Sequence, residues 1–291
     1  MKSVLVTGAN GQLGSELQQL APAYPELNFT FVTRTQVDLS DSHAINAWFS
    51  DRHFDVIINC AAYTAVDKAE SEPDLAHAIN AKAVETLANI AKTQNSSLIH
   101  VSTDYVFAGQ NFQPYKESDR TDPQGIYGAS KLAGEQALLS INPAKSIIIR
   151  TAWVYSTFGN NFVKTMLRLG KERQELGVIY DQVGSPTSAG DLALAIISII
   201  KHPMLQNLTG TEIYHYSNEG VCSWYDFAKA IFNYAELNCF VKPLETKDYP
   251  TPAKRPHYSL LNKAKIKHDF EITIPYWQDS LKTCLNILNG K

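Results

Sequence analysis

The chain has 291 residues, of which 44% are hydrophobic and 19% are charged, so it is long enough to bury a sizeable core in one large domain or two. Its formal net charge of -3 gives no electrostatic basis for nucleic acid or an anionic membrane as a partner. The four cysteines lie far apart without C-x-x-C spacing, which is typical of reduced thiols in a cytoplasmic protein rather than of a disulfide framework or a zinc site.

Short apolar runs rich in β-branched residues alternate with helical patterns in the first half of the chain. The predicted strands are 3–7, 29–33, 55–61, 97–103 and 146–152, and the predicted helices between them are 12–21, 42–53, 73–94 and 127–140. This alternation is typical of an α/β fold, with a Rossmann-like, doubly wound parallel sheet that carries helices on both faces.

The rhythm changes after about residue 151, where predicted helices at 162–171 and 224–235 mix with short strands and proline-rich loops. We therefore predict a dinucleotide-binding Rossmann domain over residues 1–153 and a smaller C-terminal α/β substrate domain over residues 154–291. We expect segment 184–201 to pack back onto the first domain, because residues 192–200 form an apolar run that predicts a buried helix and is too short to span a bilayer. The chain begins directly with a strand, so we expect no signal peptide.

Three glycines, Gly8, Gly11 and Gly14, follow the first predicted strand and lead into the first helix. Glycine permits the tight turn, the close approach of a pyrophosphate to the backbone, and close helix–sheet packing. The helix N-terminus adds free N–H groups and a partial positive charge. In this context the spacing predicts dinucleotide binding, whereas the same triplet elsewhere would favour a structural turn.

Tyr127 and Lys131 stand four residues apart in a predicted helix and therefore share one helix face. Alone, such a pair is typical of a helix surface. Behind a glycine-rich turn in an α/β chain, it favours a proton donor beside a cation. A free phenol titrates near pH 10, and a neighbouring ammonium lowers its pKa, so we expect Lys131 to bring the pKa of Tyr127 toward neutrality.

The spacing G-x-x-G-x-x-G resembles the extended branch of the short-chain dehydrogenase/reductase superfamily. The strings "AAYTAVDKAESEP", "STDYVFAG", "YGASKLAGE", "RTAWVY", "GNNFVKTML", "DQVGSPT" and "YPTPAKRPHYSLLN" together resemble the dTDP-4-dehydrorhamnose reductase family from residue 2 to about residue 277. This resemblance implies reduction of the 4-keto group of dTDP-4-dehydro-6-deoxy-L-mannose to dTDP-L-rhamnose with NAD(P)H.

The resemblance also implies which residues contact the cofactor. These are Gly8, Asn10, Gly11, Gln12, Leu13, Gly14, Arg34, Asp38, Leu39, Ala61, Ala62, Tyr63, Thr64, Tyr127 and Lys131. NAD-specific folds often place an acid at the end of the second strand. This strand ends "FVTRTQ" without one, so we predict NADPH, with NADH tolerated, and expect Arg34 to meet the 2′-phosphate. The alternative is that Arg34 is simply exposed.

The catalytic residues implied by the family pattern are Thr103, Tyr127 and Lys131. A ketone that accepts hydride develops negative charge on its oxygen and needs a proton donor and a polar partner there. Tyr127 would donate the proton, Lys131 would also bond the nicotinamide ribose, and Thr103 would bond the carbonyl oxygen. Ser102 is the rival hydroxyl, because consecutive strand residues point to opposite faces.

Four residues are predicted to contact the substrate: Thr103, Asp104, Trp153 and Arg255. Asp104 would accept hydrogen bonds from sugar hydroxyls, Trp153 would wall the sugar ring or pack in the core, and Arg255 would bind the diphosphate or lie on the surface. Two further polar residues are predicted to be structural: Asn80 as support for the site, and His100 as an interior histidine with satisfied hydrogen bonds.

Two other functions share this fold. A nucleotide-sugar epimerase or dehydratase would keep the Tyr–Lys pair and recycle its dinucleotide, and a regulatory subunit would keep only the fold. Some similar reductases bind Mg²⁺ between subunits through carboxylates. Glu16 and Asp191 could contribute here, but residues 280–291 contain no carboxylate. We therefore predict no metal, and a monomer or a metal-independent dimer.

Overall fold

The computed structural model describes residues 1–290. The strands are β1 (Lys2–Thr7), β2 (Leu27–Val32), β3 (Val56–Asn59), β4 (Ser97–Thr103), β5 (Ser146–Thr151), β6 (Val154–Tyr155), β7 (Glu175–Ile179), β8 (Val183–Gly184), β9 (Thr187–Ser188), β10 (Thr211–His215), β11 (Cys222–Ser223) and β12 (Phe240–Leu244). The helices are α1 (Gln12–Leu20), α2 (Ser42–Phe49), α3 (Val66–Ala69), α4 (Pro73–His77), α5 (Ala83–Gln94), α6 (Ile126–Ile141), α7 (Phe162–Glu172), α8 (Ala189–Lys201), α9 (Pro203–Asn207), α10 (Trp224–Tyr234), α11 (Ala264–Phe270) and α12 (Trp277–Leu288). A π-helical turn, Ala78–Lys82, joins α4 to α5.

A six-stranded sheet in the order β10-β5-β4-β3-β1-β2 forms the centre of the molecule, and every neighbouring pair in it is parallel. Its inner strands are apolar on both faces, as parallel strands covered by helices require. Val4 and Val6 of β1 pack on one face with α1, α8 and α11, while Leu5 packs on the other with α2, α5 and α6. The prediction of a Rossmann-like, doubly wound α/β fold is confirmed.

The sixth strand comes from the part of the chain that the sequence assigned to the second domain. β10 pairs with β5 in a register that joins Thr211 to Ser146. Helix α8, which contains the apolar run 192–200, packs against α1, and Leu192 and Ile196 are buried in the same core cluster as Val4. The division of the chain into two domains at residue 153 stays a prediction. Strand β10 belongs to the central sheet and helix α8 packs on it, although both follow residue 153 in the chain.

A separate core forms between α7, α10, α12 and the parallel pair β7–β12. Its buried side chains include Met166, Phe227, Ile231, Trp277 and Leu281. Helix α10 begins with a capping box, in which Ser223 and Asp226 each bond the other's backbone N–H. The strand pair β6–β9 connects this core to the carboxyl ends of the sheet strands. β6 begins directly after Trp153, and the N–H of Thr187 in β9 donates to the carbonyl oxygen of Trp153.

The four cysteines are free, and three of them are buried. Among residues 1–290, none of the helices combines the length and apolarity needed to cross a membrane.

Candidate active site

The turn between β1 and α1 is shaped by its glycines. Gly8 has φ +69°, and a Cβ there would lie 2.8 Å from the Cα of Ala61 on the neighbouring strand end. A Cβ on Gly14 would overlap the carbonyl oxygen of Gly8. Only glycine fits both positions, and the result is a backbone cradle in front of the α1 N-terminus. A cradle of this shape suits a pyrophosphate, because the free N–H groups of the first helical turn face it.

A cavity of about 850 Å³ runs from this turn along the carboxyl ends of the sheet strands. The residues predicted to bind cofactor that line it are Gly8, Asn10, Gly11, Gln12, Leu13, Arg34, Asp38, Leu39, Ala61, Ala62, Tyr63, Thr64, Tyr127 and Lys131. Thr103, Asp104 and Trp153 line the same cavity. Gly14 lies behind the turn instead, where it lets α1 approach the loop. Size and lining both fit a dinucleotide with a second ligand beside it.

At one end of the cavity, Arg34 and Asp38 face each other across the loop after β2. Their side chains are 3.7 Å apart and largely exposed. Backbone and side-chain hydrogen bonds from Ser40 hold the pKa of Asp38 below its usual value, and Arg34 adds to this effect. Arg34 is therefore an exposed cation at the cavity wall, loosely paired with Asp38.

Tyr127 lies in the first turn of α6, and its ring packs edge-to-face on Tyr105 with centroids 5.4 Å apart. It is 9% exposed. Burial raises the pKa of Tyr127 to about 12, a hydrogen bond with Thr103 opposes the rise, and the charge of Asp104 adds to it. The prediction that Lys131 brings this pKa toward neutrality is wrong in this structure, since burial dominates.

Lys131 lies one turn further along α6, and its ammonium turns toward β4 rather than toward the phenol. Its Nζ donates to the carbonyl oxygen of Val101 at 2.7 Å and lies 3.3 Å from Nε2 of His100. Burial lowers the pKa of Lys131 to about 8, and the carboxylate of Glu135 opposes this shift. Lys131 also lines the cavity, although its side chain is almost fully buried.

The two rival hydroxyls at the end of β4 have different partners. Ser102 donates to Glu135 at 2.5 Å, and that carboxylate is also gripped by Arg150, whose Nη2 lies 2.6 Å from Oε2. Thr103 instead lies beside Tyr127 and donates to Oδ1 of Asp104 at 3.0 Å. Thr103 is thus the hydroxyl available beside the phenol.

Asp104 follows β4 and is almost fully buried in the cavity wall. Its Oδ2 has no hydrogen-bond partner among residues 1–290. Burial raises the pKa of Asp104 to about 7, although the Thr103 hydrogen bond lowers it. A buried carboxyl oxygen without a partner is an unused acceptor, or a donor when protonated.

The other two predicted substrate residues differ in position. Trp153 lines the cavity, and its opposite face stacks on Trp224 with centroids 3.6 Å apart, so it serves as both wall and core contact. It has φ +51°, an uncommon conformation for a bulky residue. Arg255 lies outside this cavity, in a shallow depression beside Tyr105, and its Nη2 pairs with Asp67 at 2.7 Å.

Asn80 occupies the π-helical turn and connects the cavity wall to α6. Its Oδ1 accepts from the backbone N–H of Tyr63 at 2.8 Å, and its Nδ2 donates to Tyr63 O and to Ser130 Oγ. Ser130 in turn donates to the carbonyl oxygen of Tyr127. This geometry is that of structural support.

Sequence reasoning missed several wall residues, among them Tyr105 and Asn161. Asn161 donates to Gln12 at 3.0 Å and so ties the loop before α7 to the glycine-rich turn. The quoted run "GNNF" carried that signal, but nothing in its spacing showed which strand end it would reach.

The two carboxylates considered for a metal are held by neutral donors. Asp191 accepts from Asn218 at 2.6 Å and from Ser280 at 2.5 Å, and Glu16 accepts from Ser156 at 2.6 Å. Within residues 1–290, no group of three His, Cys, Asp or Glu side chains is arranged to hold a metal ion. The absence of a metal requirement stays a prediction.

The parallel sheet, the glycine cradle and the Tyr–Lys pair at one cavity define an oxidoreductase of the extended short-chain dehydrogenase/reductase class. The sequence profile of the family described as RmlD substrate binding domain matches residues 1–289. The chain belongs to this family, and the resemblance seen in its motifs is confirmed.

The similarity to individual relatives extends over the full length. The chain is 43% identical to a dTDP-4-dehydrorhamnose reductase of Aggregatibacter actinomycetemcomitans, over 97% of this chain and 98% of that protein. Among solved structures, a dTDP-4-dehydrorhamnose reductase of Clostridium acetobutylicum superposes with a TM-score of 0.92 at 41% identity, covering 99% of both chains. One from Bacillus anthracis, solved in complex with NADP, gives a TM-score of 0.91 at 41% identity over 98% of both chains.

Proposed function

We propose that this protein reduces the 4-keto group of dTDP-4-dehydro-6-deoxy-L-mannose to the alcohol of dTDP-L-rhamnose, with NADPH as reductant and Tyr127 as proton donor. The observation that carries the proposal is one cavity in which the glycine cradle, Tyr127, Thr103 and Lys131 meet. Membership of the family supplies the substrate class.

The cofactor fits the residues present. Gly8 and Gly14 leave room for a pyrophosphate against the backbone, and Lys131 offers an N–H to ribose hydroxyls. When bound, the dinucleotide supplies the hydride. Arg34 lies at the cavity wall beside Asp38, where its exposed guanidinium could turn to a 2′-phosphate, and this favours NADPH over NADH.

The protein's own side chains then supply a proton to the carbonyl oxygen of the substrate. As hydride reaches the carbonyl carbon, the C=O π electrons move to oxygen, and the phenol of Tyr127 transfers its proton there. Its pKa of about 12 means that the phenol stays protonated at neutral pH and is ready to donate. A weak acid is sufficient, because the alkoxide it neutralises is a much stronger base than phenolate.

Thr103 and Asp104 complete the oxygen's surroundings. The Thr103 hydroxyl lies beside Tyr127 and would bond the same oxygen once it turns away from Oδ1 of Asp104, which would then accept from a sugar hydroxyl. Trp153 offers an indole face to the ring. Arg255 is engaged by Asp67, so a diphosphate contact requires that this half-buried pair open.

The experiment is a comparison of NADPH oxidation with dTDP-4-dehydro-6-deoxy-L-mannose against its epimers, with product and cofactor counted. We expect one NADPH consumed per sugar reduced. An epimerase or dehydratase would convert sugar without net oxidation and would retain dinucleotide on purification. A regulatory subunit would oxidise no NADPH, and Tyr127→Phe provides the matched inactive control.

A further inference from the structure

A row of polar side chains crosses the otherwise apolar sheet beneath α6. The register pairs Thr7 of β1 with Asn59 of β3, and Asn59 with His100 of β4. All three side chains are buried. Two residues earlier on the same strands, the register aligns Leu5, Ile57 and Leu98, which pack in the core under α5 and α6. Alternation along a strand puts the polar row on that same face.

The row is continuous by hydrogen bonding and ends on Lys131. Thr7 Oγ1 lies 2.7 Å from Asn59 Oδ1, and Asn59 Nδ2 lies 3.1 Å from His100 Nδ1. His100 Nε2 then lies 3.3 Å from Lys131 Nζ. A sheet face made only of apolar side chains would be simpler to pack. A buried row of polar side chains that are all hydrogen-bonded to one another therefore indicates a specific role for its last member, Lys131.

The charge state of the row is restricted. Burial, and then the charge of Lys131, lower the pKa of His100 well below its usual value, so the ring is neutral. A neutral imidazole has one N–H and one lone pair. If Nε2 accepts from the ammonium, Nδ1 carries the proton and needs an acceptor, which the Asn59 amide provides through its oxygen after half a turn of the side chain. In the orientation that the structure gives the amide, Asn59 Nδ2 donates to His100 Nδ1. The ring proton then lies on Nε2 and points at Lys131 Nζ, which could accept it only as a neutral amine.

We propose that His100 is a positioning residue that directs Lys131 into the cavity, with its Nδ1–H tautomer fixed by Asn59 and Thr7. This rests on the proposed function, in which Lys131 bonds the dinucleotide ribose. An ammonium has three N–H groups. Val101 O and His100 Nε2 take two of them from the β4 side, and the third is left for the cavity that Lys131 lines.

The other titratable groups near Lys131 do not change the assignment of His100 as its positioning residue. Glu135, on α6, is occupied by Arg150 of β5 and by Ser102 of β4. Tyr127 and Asp104 line the same cavity as Lys131. The hydrogen bond that His100 Nε2 accepts from the ammonium stabilises the charged form of Lys131, so its loss should lower the lysine pKa further from about 8.

The test is NADPH affinity measured by calorimetry between about pH 6 and pH 9, a range that brackets the Lys131 titration. In the wild type, affinity should fall as pH rises through the pKa of Lys131. His100→Leu should bind about tenfold more weakly at neutral pH, and its decline should begin about one pH unit lower. His100→Gln, whose amide oxygen reaches the place of Nε2, should stay within about threefold of wild type.

The outcomes separate the two proposals. If Lys131→Ala keeps full affinity and the same pH profile, the ribose role fails and this inference with it, whereas the proposed function is decided by the NADPH oxidation assay. If Lys131→Ala removes the decline but His100→Leu leaves its midpoint where it was, His100 is only a packing residue and the inference fails alone.

A second measurement needs no folded His100→Leu protein. Nitrogen NMR of wild-type protein labelled on its 8 histidines, with His100 assigned by its loss in His100→Gln, reports the tautomer directly. We expect a neutral Nδ1–H ring that does not titrate between about pH 5 and pH 9. An Nε2–H ring, or titration near the ordinary histidine pKa, would overturn the proposal.

Discussion

Replacing Tyr127 with phenylalanine removes one oxygen and leaves the rest of the site intact. The ring is 9% exposed and packs on Tyr105, so phenylalanine fills the same space and keeps the edge-to-face contact. Dinucleotide affinity should therefore change by less than about twofold, since no strong bond to the cofactor is lost.

The effect should fall on turnover. Loss of a general acid lowers the rate by about 10²- to 10⁴-fold, which corresponds to about 2.7 to 5.5 kcal/mol of transition-state stabilisation. Because the pKa of Tyr127 is about 12, the phenol is protonated throughout the neutral range, and the deficit should be the same at about pH 6 and pH 9.

Stopped-flow NADPH oxidation under single-turnover conditions measures the chemical step directly. Tyr105→Phe is the matched control, because it also removes a phenolic hydroxyl from a cavity-lining tyrosine, and it should cost less than about fivefold. A Tyr127→Phe rate within about tenfold of wild type would show that another group, Thr103 or Asp104, delivers the proton.

Three further outcomes are expected. Arg34→Ala should weaken NADPH binding by about tenfold and leave NADH binding almost unchanged; equal losses in calorimetry would remove Arg34 from the 2′-phosphate. For Asp104, burial raises the folded pKa from 3.8 to about 7, so the folded state binds the proton more tightly, and the wild type loses stability as pH rises between those two values. Asp104→Asn should thus raise the free energy of unfolding by about 1 to 4 kcal/mol at pH 8 and by about a third of that at pH 5, and urea titrations with parallel pH dependence for both proteins would contradict this. Light scattering should give one mass in EDTA and in millimolar Mg²⁺; a shift from monomer to dimer on adding Mg²⁺ would implicate Glu16 and Asp191.

The sequence predicts the elements of the sheet well because its signals there are local. The runs at 97–103 and 146–152 agree with β4 and β5 to within a residue, since β-branched residues in short apolar runs favour buried strands. The glycine-rich turn between β1 and α1 was predicted equally well. Its spacing requires a tight loop before a helix, and the positive φ of Gly8 and the close contact of Gly14 meet that requirement.

The site's electrostatics could not be read in the same way. Spacing put Tyr127 and Lys131 on one helix face, but the ammonium bonds Val101 and approaches His100, partners that only the packing of α6 on β4 provides. His100 was correctly expected in the interior. Its contact with Asn59 depends on the register between β3 and β4, which the sequence does not state.

Strand β10 is synthesised well after β5, the strand with which it pairs, and this delay has a consequence during translation. Ser146 is paired with Thr211, so the ribosome releases β5 well before its outer neighbour exists. Until then, the run Ile147–Ile148–Ile149 presents an unpaired sheet edge, which is a template for pairing with other nascent chains. A fragment ending at residue 153 should therefore aggregate during expression, whereas one that continues through β10 should stay in the supernatant.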